Sequence, residues 1–253
     1  MAAKNPLSSC EFYEGPNNRE MPNLIKDGRN PISPSIIYWL RLATLNNYLA
    51  AVTRKDQEAA NAWKQEMVKY WDQYIDTGFG VARHPDKGAI LVPNARCIRD
   101  LNLQTKLSEG DRYAIMPEGM FEELVNQGHA YTNVEIVQNG GNKWLTQEQA
   151  VSSPFLKDLI PDGALRNASI VNVFDQYQKR FLRNYLLMGV FFPEAQKEPV
   201  MGLFDVGRLE DGSGAGGRDL LDFQDGRLGG VLPEVAEGDV QKLEHIVQYR
   251  QEA

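Results

Sequence analysis

Residues 202–239 read GLFDVGRLEDGSGAGGRDLLDFQDGRLGGVLPEVAEGD, and the fold turns on how this stretch is taken. Nine glycines lie between Gly202 and Gly230, including the run Gly212-Ser213-Gly214-Ala215-Gly216-Gly217. Such a composition buries too little apolar surface to offset its own ordering entropy, so it reads as a mobile, acidic interaction tail. Nine acids against three arginines give it a charge of −6, while residues 1–201 hold 22 basic and 23 acidic groups. A nearly neutral body with an anionic appendage lacks the basic face that tracks phosphates, which argues against nucleic acid. The glycine run has neither the Lys-Ser/Thr of a Walker loop nor a strand before it, so it is no phosphate cradle.

The same stretch contains an echo. Phe204-Asp205-Val206-Gly207-Arg208-Leu209 and Phe223-Gln224-Asp225-Gly226-Arg227-Leu228 share Phe-x-x-Gly-Arg-Leu. An aromatic and a leucine flanking an arginine can anchor twice on a partner, with avidity from the short tether. Phe204, Gly207, Arg208, Leu209, Phe223, Gly226, Arg227 and Leu228 are therefore candidate partner-binding residues. Beyond them, Asp239 can cap a docking helix over 240–253.

Upstream, the apolar spacing of Ile170, Val173, Phe174, Tyr177, Phe181, Tyr185 and Met188 predicts a spine helix from about Ala164 to Val190. Leu186 and Leu187 fall on its polar side, so its last turns need covering by another subunit or by the following segment. Nearer the amino end, Ser33 can cap and Pro34 can open a helix running to about Val52, and Lys55–Thr77 reads as its antiparallel partner. Arg41 sits in the middle of the first helix's apolar arc, where a lone charge costs several kcal/mol. It needs a partner, with Glu66 as one candidate.

From Phe79 the period shortens, and FGVAR, GAILVP and DRYAIMP read as short strands. AYTNVEIVQ with its Asn139–Asn142 turn reads as a further hairpin. Thr146 with Gln149, and Ser153 with Pro154, signal two more helix starts. Residues 1–33, rich in Pro, Asn, Gly and Ser, read as an extended arm.

The expected fold is α+β and helix-dominated. An arm (1–33) leads into one globular body (34–201) with an N-terminal helical hairpin, a small antiparallel sheet and a long spine helix. The tail (202–239) and docking helix (240–253) follow. No apolar run approaches the ~20 residues of a membrane span, and residues 1–15 lack the apolar core of a secretion signal, so the expectation is cytoplasmic. Cys10 and Cys97 stand at neither metal nor redox spacing, and His129 and His245 have no ligand-type companions, so no metal or cofactor is expected.

The function these extensions suggest is a non-enzymatic structural or assembly subunit, binding other protein subunits through the tail and the Leu186–Leu187 helix end. A virus or phage particle component fits that architecture. The alternative is an enzyme acting on a small anionic substrate near Arg83, His84, Asp86, Cys97 and Arg99.

Overall fold

In the computed structural model, residues 10–126, 130–131, 143–182, 186–194, 196–219 and 221–236 are described. The expected 240–253 helix, most of the Ala130–Asn142 hairpin, His129 and His245 lie outside them.

The molecule is organised by a sheet. Eleven strands form one mixed sheet whose main path runs β1-β11-β3-β9-β10-β8-β7. These strands are Cys10–Glu14 (β1), Ile75–His84 (β3), Lys143–Leu145 (β7), Leu187–Phe191 (β8), Val200–Val206 (β9), Ala215–Asp219 (β10) and Arg227–Val231 (β11). Short strands β2 (Asn30–Pro31), β4 (Gly88–Val92), β5 (Ala114–Ile115) and β6 (Ala130–Tyr131) branch from it. β11 runs parallel to β3 and β10 parallel to β8, while the other pairs are antiparallel.

This corrects the helix-dominated reading with its small sheet and extended ends. The glycine-rich stretch is no tail: it supplies β10, β11 and most of β9, near the middle of the sheet. The arm is likewise ordered from Cys10 onward, giving β1, helix α1 (Asn17–Lys26) and β2. Its glycines are there because the backbones crowd. A Cβ at Gly217 would stand 2.6 Å from the Cβ of Val81, and one at Gly226 would stand 2.5 Å from the carbonyl oxygen of Gly15. Close approach of strands, and not looseness, explains the composition.

The sheet is covered on both faces, as strand alternation requires. Ile75, Val81, Phe204 and Val206 point into the larger core with helices α2 (Pro34–Thr53), α3 (Gln57–Trp71), α6 (Gln147–Ser152), α7 (Pro154–Leu159) and α8 (Gly163–Phe181). Ala82, Met201, Leu203 and Leu228 point the other way, with α1, α4 (Arg96–Arg99) and α5 (Met120–Val125). A final turn, α9, spans Pro233–Ala236.

Helix starts follow their local chemistry. Ser33 Oγ accepts from the Ile36 N–H, Asp56 from Ala59, Thr146 and Gln149 close a capping box, and Ser153 caps α7. Helix ends do not follow the sequence reading. The spine stops at Phe181, where Leu182 takes a left-handed conformation with φ 52°. Leu187–Phe191 is a strand paired on both sides, which is why its sequence is apolar all round. The second helix likewise stops at Trp71, and Gly78 lies inside β3.

Candidate functional site

Four strand ends meet at one edge of the sheet. β3 starts there at Ile75 and β9 ends there at Val206, its antiparallel partner in register. β10 begins beside the end of β9, and β11, parallel to β3, begins at Arg227. Register places Asp76 opposite Asp205 on β9 and Leu228 on β11, and Gly216 opposite Asp205 on the other side. Around these ends opens a cleft of about 580 Å³.

Its chemistry is one-sided. Asp76, Asp111, Glu194, Asp205, Asp211 and Asp225 line it, together with Tyr74, Tyr113, Trp144, Phe191 and Phe223. Arg227 is the sole cation among the described lining residues, and it is already engaged. Its Nε meets Glu14 at 2.9 Å, its Nη1 donates to the Lys69 carbonyl at 2.7 Å, and its guanidinium lies 3.6 Å from the Phe12 ring centre. A negative concave surface with aromatic walls concentrates cations and offers them π faces.

Several carboxylates are held in place from within. Asp211 accepts hydrogen bonds from the Tyr74 hydroxyl and, at 2.7 Å, from Arg208 Nε. Burial works against its charge, but those two donors outweigh it and hold its pKa below the usual value. The same burial, reinforced by Asp211, pushes Tyr74 up to about 12. Asp111 accepts from Gln196 at 2.7 Å. Glu194, Asp225 and Phe223 stand in solvent at the rim, Phe223 at 46% exposure.

Asp76 differs, being 1% exposed at the floor. Its Oδ2 accepts from Asn17 Nδ2 and from the Arg227 N–H, both at 2.9 Å. Its Oδ1 has no hydrogen-bond partner among the described residues. A buried carboxylate oxygen without a donor is costly.

Arg41 shapes one wall of the cleft. It is 1% exposed, and the attraction of Asp72 does not outweigh the cost of its burial. Nε donates to the Tyr70 carbonyl at 2.7 Å, Nη1 to Ser213 Oγ at 2.5 Å and Nη2 to the Gly207 carbonyl at 2.7 Å. The rings of Tyr38 and Trp71 lie within 5.6 and 5.7 Å of its guanidinium carbon. Desolvation lowers its pKa to about 10. Glu66, the partner suggested by spacing, pairs with Lys69 instead. Arg41 thus ties helix α2 to the loop between β9 and β10.

The two copies of Phe-x-x-Gly-Arg-Leu converge on this cleft rather than on two pockets of a partner. Phe204, Leu209 and Leu228 are wholly buried in their own core, where no partner reaches them. Gly207, Phe223, Gly226 and Arg227 line the cleft, and Arg208 sits behind it, 5.5 Å from the Tyr74 ring. Leu187 is buried in β8, while Leu186, half-exposed, lines a second groove with Trp144 and Tyr177.

The residues of the anionic-substrate alternative make mostly separate contacts. His84 Nδ1 accepts from the Asp86 N–H, and its ring packs on Phe121 at 5.0 Å. Cys97 packs against the second core cluster, and burial raises its thiol to about 11, so it is protonated at neutral pH. Arg99 reaches Asn30. Among the described residues no hydrogen bond or ion pair joins His84 to Cys97, and no group of three or more His, Cys, Asp or Glu stands in metal-holding geometry. No described helix is long and apolar enough to cross a membrane.

No family model and no curated protein matches the chain. A solved structure described as "Accommodation of massive sequence variation in Nanoarchaeota by the C-type lectin fold" does match in shape. The TM-score is 0.55 at 15% identity, over 88% of this chain and 96% of that one. The likeness is one of fold, to the C-type lectin fold; in this chain the first described strand, β1, pairs with the last, β11.

No motif in the sequence marks the cleft, because Tyr74 with Asp76, Asp111, Trp144, Glu194 and Asp205 come from separate segments. The clustering of acids with glycines is the one signal the sequence carries here, and composition alone cannot tell it from a mobile tail.

Proposed function

We propose that this protein is a non-enzymatic recognition subunit that binds a cationic segment of another protein in the strand-end cleft, and so takes part in a larger assembly. The observation that carries the reading is the composition of the cleft: six carboxylates, five aromatic rings and one cation that is already paired. Among the described residues these carboxylates form no group of three or more in metal-holding geometry, and six of them along one cleft suit a basic chain better than a single ion. This route to assembly does not use free terminal tails. The shape neighbour is described as accommodating massive sequence variation by the C-type lectin fold. A scaffold that holds its shape under changing surface residues is compatible with a recognition role.

The test is titration with oligo-arginine and oligo-glutamate peptides, followed by Trp144 fluorescence, on the protein and on a Glu194→Gln, Asp225→Asn double variant. Oligo-arginine should bind and weaken with salt, while oligo-glutamate should not bind. Two rim charges at ~0.2–1 kcal/mol each predict a loss of about 2- to 30-fold in the variant. Equal binding of both peptides, or no effect of the double change, refutes the reading.

A further inference from the structure

The six carboxylates of the cleft are not equivalent, and Asp76 stands apart on geometry. It is 1% exposed at the floor, held from behind by Asn17 and the Arg227 N–H, and its Oδ1 has no donor among the described residues. A rim carboxylate attracts any cation, whereas a buried acceptor with one vacant lone-pair site asks for a hydrogen. Aromatic walls alone favour bulky quaternary cations, which need no hydrogen bond and have only charge to offer. The floor adds the opposite demand, because a ligand that covers Oδ1 without donating to it leaves the oxygen desolvated and unpaired.

Resting on the cationic reading of the cleft, we infer that Asp76 is its specificity-determining residue and selects a basic side chain carrying N–H donors, lysine or arginine, over an N-trimethylated cation. The head group enters between the rings and donates one hydrogen bond to Asp76 Oδ1. The surrounding carboxylates supply attraction without discrimination.

Three peptides of one sequence separate the two readings, with a central lysine, Nε-trimethyllysine or norleucine. Each is titrated against the full chain and against Asp76→Asn. In that variant the amide oxygen can keep the bonds from Asn17 and Arg227, while its NH₂ replaces the vacant acceptor with a donor. On the native protein, trimethylation should weaken binding by about 10- to 100-fold, the worth of one hydrogen bond to a charged group. In Asp76→Asn, lysine and trimethyllysine should bind alike. Equal or tighter binding of trimethyllysine to the native protein overturns the role of Asp76, while the cationic reading survives so long as both exceed norleucine. Equal binding of lysine and norleucine overturns the cationic reading itself. Should Asp76→Asn fail to fold, the peptide series on the native protein decides alone.

Discussion

Replacing Arg41 by methionine tests how the cleft wall is built. Methionine keeps much of the aliphatic volume but removes three donors at once, from the Tyr70 carbonyl, the Gly207 carbonyl and Ser213 Oγ. At ~1–3 kcal/mol for each buried group left unpaired, the loss is about 6 kcal/mol at the midpoint. Part of this returns, because the guanidinium is itself costly to bury. Its pKa falls from 12.5 to about 10, and at ~1.36 kcal/mol per pKa unit that is about 3 kcal/mol. The net destabilisation should be about 3 kcal/mol, read from urea unfolding at neutral pH. Arg41→Lys should recover little of it, since an ammonium cannot span three acceptors with the planar fork of arginine. Amide exchange adds a local readout: the Ser213 N–H, bonded to the Arg208 carbonyl, and the Gly207 N–H, bonded to Gly214, should exchange faster. A change below ~1 kcal/mol with unaltered exchange in this loop would refute the assignment of Arg41 as its anchor.

Two further outcomes follow from buried titratable groups. Burial raises Cys10 from 9.0 to about 12 and Tyr38 from 10.0 to about 12. The folded state therefore holds these protons more tightly than the unfolded chain. Their contribution is fully present below pH ~9 and is lost as pH climbs through 12. Arg41, shifted the opposite way, regains stability between pH ~10 and 12.5 and offsets part of the loss. Denaturant midpoints should thus fall between pH 8 and 11.5, and a flat or rising profile would contradict the burial of both groups. With Cys97 raised to about 11 as well, both thiols should react with a disulfide reagent at pH 8 far more slowly in the native protein than in urea. Fast native labelling of Cys97 would revive a thiolate chemistry near His84.

What could be read from the chain divides along the range of the forces involved. Caps act within four residues, so Ser33, Thr146 and Ser153 announce their helices locally. A buried charge is legible too, because Arg41 has nowhere polar to go on its own helix. Its partners were not, since backbone carbonyls from 29 and 166 residues away leave no trace in side-chain spacing. The apolar run at Leu187–Phe191 fitted both a buried helix end and a central strand, and the deciding fact was pairing with β7 and β10. The glycines of 202–230 carried the largest error, because crowding by Val81 and Gly15 is invisible to composition. The cleft inherits that error, being assembled from the loops this stretch provides.

β1 pairs only with β11 on the main path of the sheet, and β11 in turn separates β1 from β3. During synthesis the segment Cys10–Glu14 therefore has no lateral neighbour until Arg227–Val231 has left the ribosome. This part of the sheet can therefore form only once Arg227–Val231 is available, and a nascent chain stalled anywhere before residue 227 would present an open sheet edge to whatever lies nearby.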